Sequence, residues 1–125
     1  ARALNESARP ELQAIGRRLG DALQAWVKAT EFLAGDAKNG LAGPLTAAVP
    51  YLHLAVTVCG GWLMGRAALA AASYLDRGEG DQVFYRGKIA TAHFYADQML
   101  PQAAAYSATV QAGGASLAAV SDEML

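Results

Sequence analysis

No residue between Lys38 and Arg66 carries a formal charge. That gap is longer than the roughly 20 apolar residues a membrane-spanning helix needs. The segment YLHLAVTVCGGWLMGRAALAAA at 51–72 therefore poses a choice between a bilayer span and the interior helix of a bundle. The flanking segments favour the bundle. Both have the pattern of amphipathic, water-compatible helices, against which an apolar middle helix can be buried on two sides. Arg66 also interrupts the longest apolar window, where a charge within a span is costly. No transmembrane span is expected.

Three helical patterns divide the chain. The first runs from about Pro10 to Ala34, with Pro10 suited to the first turn, where its missing N–H has no intrahelical partner. Leu12, Ile15, Leu19, Ala22, Trp26, Ala29 and Leu33 step by three and four along one face. The second runs from about Pro44 to Asp76 and carries two stripes. Leu45, Val49, Leu52, Val56, Cys59 and Leu63 form the expected core seam. Thr57, Gly61, Gly65, Ala68 and Ala72 form a stripe of small residues. A glycine within a helix costs about 1 kcal/mol relative to alanine, which close approach of a neighbouring helix offsets. Pro50 either kinks this helix or marks its start. The third runs from about Gln82 to Ala112, with Tyr85, Ile89, Ala92, Ala96, Met99, Ala103, Tyr106 and Val110 as its seam and a bend at Pro101. SLAAVSDEML after Gly113-Gly114 either forms a short C-terminal helix or frays.

The expected fold is all-α: an up-down-up antiparallel bundle of three long helices plus a short C-terminal helix, with residues 1–125 forming a single helical domain. The opening ARALNES lacks both Met and a signal-peptide pattern, so the chain reads as part of a longer protein or a processed product. Ten basic and eleven acidic residues nearly cancel, and no Lys/Arg stripe provides the footprint of a nucleic-acid binder. The single cysteine, Cys59, excludes an internal disulfide framework and suits a reducing cytoplasm.

Recognisable catalytic constellations are missing. His93 and Asp97 stand at i and i+4, but two groups fall short of the three protein ligands of a catalytic zinc, and a helix-surface hydrogen bond is the expected outcome. Cys59 has no adjacent base. Asp76, Glu79 and Asp81 do not match the calcium-loop spacing and read as a solvated connector. Gly60, Gly61 and Gly65 lack the Lys-Ser/Thr of a phosphate loop. Trp26 and Trp62 are expected to be core or interface anchors. Arg86 and Lys88 form the one basic pair near aromatic residues, a weak candidate contact for a phosphate or a coenzyme A moiety.

Two segments carry a family resemblance. YLHLAVTVCGGWLMGRAALAA (51–71) and KIATAHFYADQMLPQA (88–103), with Lys88, Thr91-Ala92, Phe94-Tyr95 and Leu100-Pro101, together resemble the acetyl-CoA dehydrogenase-like C-terminal domain family over roughly residues 10–120. The resemblance implies an accessory, non-catalytic domain at the C-terminus of an FAD-dependent acyl-CoA dehydrogenase of fatty acid metabolism. In such enzymes a glutamate removes the α-proton of the thioester and FAD accepts the β-hydride, both in preceding domains. No catalytic, cofactor-binding or metal residue is therefore expected here. The implied cofactor is FAD in the parent enzyme, and the implied partners are the preceding catalytic domains and further copies in a homo-oligomer. Thr57, Gly61, Trp62, Met64 and Gly65 are the expected docking surface. The competing expectations are a free-standing interaction or dimerisation module and a peripheral lipid-binding bundle.

Overall fold

The computed structural model describes residues 1–124, with the side chain of Asp122 left out. The described residues contain helices and turns and no strand. Two long helices, α2 (Pro10–Asp36) and α3 (Ala42–Arg77), follow a four-residue α1 (Arg2–Asn5). A broken third arm consists of α4 (Gln82–Gln98) and α5 (Gln102–Gln111), and a short α6 (Ala115–Ala118) and a 3-10 turn (Asp122–Met124) follow.

The ends of these helices have local causes. Pro10 opens α2 from an extended Arg9. Gly78 closes α3 in the left-handed region at φ 67°, and the Glu79 N–H reaches back to the Tyr74 carbonyl while that of Gly78 reaches Leu75. This is the bond pattern of a glycine-terminated helix. The Asp81 carboxylate then caps α4 by accepting from the N–H groups of Val83 and Phe84 at 2.9 and 3.0 Å. Asp76, Glu79 and Asp81 thus have separate structural roles. Asp81 caps α4, Asp76 pairs with Arg9 at 2.6 Å, and Glu79 pairs with Arg77 at 3.0 Å.

Pro50 lies within α3, which stays helical through it despite the missing donor. Pro101 acts more strongly than a bend. The N–H groups of Met99 and Leu100 both turn to the Tyr95 carbonyl, and α5 starts afresh after Pro101.

Contacts fix the directions of the arms. Arg9 meets Asp76, Ile15 and Leu4 meet Gly65, and Thr30 meets Tyr51, so α2 and α3 run antiparallel. Tyr74 stacks on Tyr85, Tyr95 reaches Thr57, and His53 stacks on Tyr106, so the third arm runs antiparallel to α3. It runs parallel to α2: Arg18 approaches Asp97, and further along both arms the buried Ser107 hydroxyl donates to the Ala25 carbonyl at 2.7 Å. All three arms touch one another around one core. Half of that core's fully buried apolar residues are alanine, which lets the helices approach closely.

The α3 seam expected from the sequence is inverted. Leu45, Val49, Leu52, Val56, Cys59 and Leu63 are all exposed. The buried face is Ala47, Leu54, Thr57, Val58, Gly61, Gly65, Ala68, Ala71 and Ala72, which includes the whole stripe of small residues. The reason is geometric. A helix wedged between two others needs short side chains on the wedged side, and the bulky seam is left outside. The α2 seam matches its expectation, with Trp26 and Leu33 half-buried at its edge. The third seam holds on both sides of the break, through Ala103, Tyr106 and Val110, and departs only at the break, where Leu100 takes the interior place expected of Met99. The short C-terminal helix is present as α6; α1, which places Leu4 in the core, has no counterpart in the sequence expectations.

Candidate functional site

The two segments that carry the family resemblance fold against each other. A Cβ on Gly61 would lie 2.5 Å from Cδ2 of Leu100, and one on Gly65 would lie 2.8 Å from Cδ1 of Leu4. These glycines are the seats of two leucines. At the adjacent position, Gly60 leaves room for the Tyr95 ring, whose hydroxyl donates to the Thr57 carbonyl at 3.0 Å. Burial, with a smaller contribution from Cys59, raises the Tyr95 phenol above its ordinary value. In the pair Phe94-Tyr95 the tyrosine thus turns inward and the phenylalanine outward. Thr91 bonds back to the Gly87 carbonyl, Ala92 is buried, and Lys88 is exposed with its Nζ 5.1 Å from the Phe84 ring. Of the motif residues, Ala92, Tyr95 and Leu100 build the bundle's own interior, while Lys88, Thr91, Phe94 and Pro101 are exposed.

This placement redraws the docking surface expected from the sequence. Thr57, Gly61 and Gly65 are buried, and their surface is taken by Tyr95, Leu100 and Leu4 of the same chain. Met64 is half-buried at the edge. Trp62 alone of the five is exposed, with the Arg66 guanidinium 5.0 Å from its ring. The face open to a partner is instead the outward seam Leu45, Val49, Leu52, Val56, Cys59 and Leu63, with Trp62 beside it. By length and composition α3 could cross a bilayer, yet about two-fifths of its most apolar window, 39%, is buried within the bundle.

Arg86 and Lys88 are not brought together. Two positions apart on a helix, they face different ways. Arg86 lines a groove of about 340 Å³ with Arg9, Glu11, Leu75, Ile89 and His93. Within it Arg9 is held by Asp76, and His93 lies 3.6 Å from Asp97, which Arg18 also approaches at 3.7 Å. The i, i+4 contact of His93 and Asp97 is thus a surface pair, as its spacing suggests. Among the described residues no three His, Cys, Asp or Glu side chains cluster to hold a metal.

A flavin does not fit these residues. In the Arg86 groove Arg9 is already paired with Asp76, and a carboxylate, Glu11, shares the wall with Arg86. A groove of about 300 Å³ between α2 and α5 is lined by Asp21, Gln24, Lys28, Ser107, Gln111 and alanines. None offers a planar apolar slot beside free donors for a pyrophosphate.

The comparisons with known proteins agree with the two-segment pattern. The family described as "Acetyl-CoA dehydrogenase C-terminal like" matches residues 1–121. A 3-methylmercaptopropionyl-CoA dehydrogenase of Ruegeria pomeroyi is 34% identical over 105 residues, covering 84% of this chain and 18% of that protein. The chain therefore spans less than a fifth of that relative's length. With a family match across nearly its whole length, the chain belongs to the acetyl-CoA dehydrogenase C-terminal-like family.

Proposed function

We propose that residues 1–125 form a single helical domain, the accessory C-terminal domain of a larger FAD-dependent acyl-CoA dehydrogenase, and that the chemistry takes place in preceding domains of the same polypeptide. The observation that carries this reading is the family match over residues 1–121, and the related dehydrogenase supports it. The substrate class is an acyl-CoA thioester, with oxidation of its α,β carbon–carbon bond. FAD supplies the redox chemistry where it is bound, and since this chain's residues do not fit it, its site lies in those other domains. The bundle's own task is mechanical. Its interior is tied by leucine-in-glycine contacts and by the Tyr95–Thr57 bond, so it presents the outward faces of its helices as rigid surfaces. The exposed Cys59 thiol suits a reducing, cytoplasmic setting.

The test is a visible absorption spectrum of the protein expressed from the uninterrupted reading frame that contains Ala1–Leu125. The spectrum is recorded before and after addition of 3-methylmercaptopropionyl-CoA and of a straight-chain acyl-CoA. A flavin spectrum bleached by either thioester is expected, and the preferred thioester narrows the substrate. A colourless protein overturns the reading.

A further inference from the structure

The outward seam of α3 is too regular to be a scatter of surface apolar residues. Leu45, Val49, Leu52, Val56, Cys59 and Leu63 alternate steps of four and three, the spacing of a coiled-coil seam. They cover about 27 Å of helix at 1.5 Å per residue. All are exposed, and no charged residue lies among them. Contiguous apolar surface on this scale marks an interaction site.

We infer that this seam pairs with the same seam of a second copy of the chain, in antiparallel register, across a twofold axis at the level of Leu54. The spacing is its own complement. Such a twofold sets Leu45 against Leu63 of the partner subunit, Val49 against Cys59 of the partner subunit, and Leu52 against Val56 of the partner subunit. Every seam residue finds a counterpart, as a self-complementary interface requires. The area suffices. With Trp62, the seam leaves on the order of 700 Å² of side chain exposed per copy, so pairing can bury up to on the order of 1,400 Å² in all, a ceiling within the range of specific interfaces. Charge selects the direction. Arg66 continues the seam three residues past Leu63, so a parallel pair would set one Arg66 against the other, whereas the antiparallel pair holds them at opposite ends. Antiparallel pairing also opposes the two helix dipoles. The inference does not depend on the dehydrogenase reading; a yellow monomer and a colourless dimer are separate outcomes.

The single native cysteine makes the register measurable. In the antiparallel register the two Cys59 thiols lie about 15 Å apart along the pair, beyond disulfide reach, while the thiol introduced by Val49→Cys faces Cys59 of the partner subunit. The 125-residue chain and the protein from the full reading frame are each oxidised with copper phenanthroline. Covalent dimer is read on non-reducing gels, and the linked peptides are identified by mass. The expected result is a covalent dimer linking positions 49 and 59 in V49C, none through Cys59 alone in the wild type, and a dimer mass for both by light scattering. Val56→Glu, at an exposed position, should keep the helical circular dichroism and weaken association at least 100-fold. A Cys59–Cys59 link in the wild type overturns the register. A monomeric chain without a 49–59 link overturns the pairing, and binding of that monomer to phosphatidylcholine vesicles would assign the seam to lipid. If the link forms in the 125-residue chain but not in the full protein, the rest of the polypeptide covers the seam and the inference also fails.

Discussion

Leu52 and Leu54 stand two positions apart on the same helix, one 60% exposed and the other fully buried. They typify the two faces of α3. On the inner face the residues that matter are small, and the energy comes from Leu4 of α1 and Leu100 of the α4–α5 break inserted over Gly65 and Gly61. On the outer face the residues are large and touch little of their own chain. Size alone is therefore a poor guide to the inside of a helix held between two others. There the interior is chosen by how closely backbones can approach.

The largest effect should come from deleting the one bulky side chain fully buried on the inner face at this level. Leu54→Ala is expected to lower unfolding free energy by about 3 kcal/mol, the middle of the range for a buried leucine. Leu52→Ala should change it by no more than about 0.5 kcal/mol when measured in urea on dilute protein. Equal losses in the two variants would erase the distinction between the faces.

Filling the glycine seat comes next. Gly61→Leu forces Leu100 to move, an overpacking cost of about 1–3 kcal/mol, from which the helix-propensity gain of about 1 kcal/mol is subtracted. Combining Gly61→Leu with Leu100→Ala should recover part of the loss, and the double-mutant cycle measures how much.

Tyr95→Phe removes a hydrogen bond across the α3–α4 contact and should cost about 1 kcal/mol. It also carries a pH signature. Because burial raises the folded-state phenol pKa, the native chain holds its proton more tightly than the unfolded chain. Stability from this group is complete below about pH 10, the ordinary tyrosine value, and is lost as pH rises through the folded-state pKa. Urea midpoints between pH 9 and 11.5 should fall less steeply in Tyr95→Phe than in the wild type. The smallest effect is at the rim: Arg9→Ala breaks a partly solvated ion pair with Asp76 and should cost about 0.5 kcal/mol in the same assay.

The elements that were legible in the sequence had one consistent signal each. Pro10 and the Leu12–Ile15–Leu19 spacing place α2 within a residue or two, and the end of α3, expected near Asp76, lies at Arg77. The resemblance residues from Lys88 to Pro101 likewise pointed to the family. The orientation of α3 was not legible, since two stripes satisfied the same periodicity and the bulkier one drew the assignment to the core. What reverses it, Leu100 and Leu4 arriving over glycines, is a tertiary fact spread over positions 4, 61, 65 and 100. The four-residue α1 has too few residues to show a period, so Leu4 gave no sign of its burial. For the same reason the sequence did not show what covers Thr57, Gly61 and Gly65: they face Tyr95, Leu100 and Leu4 of the chain itself.

The turn between α3 and α4 has a further consequence, in the order of events during refolding. Only four residues, at 78–81, join these two helices, which make the most extensive contact in the bundle, and both helix ends are fixed locally by Gly78 and the Asp81 cap. Closing so short a loop loses little chain entropy, so this hairpin can assemble before α2 docks. The seats at Gly60 and Gly61 then belong to the early nucleus, and the Leu4 contact to the late closure. Substitutions at the first pair should therefore slow folding, while Leu4→Ala should chiefly hasten unfolding.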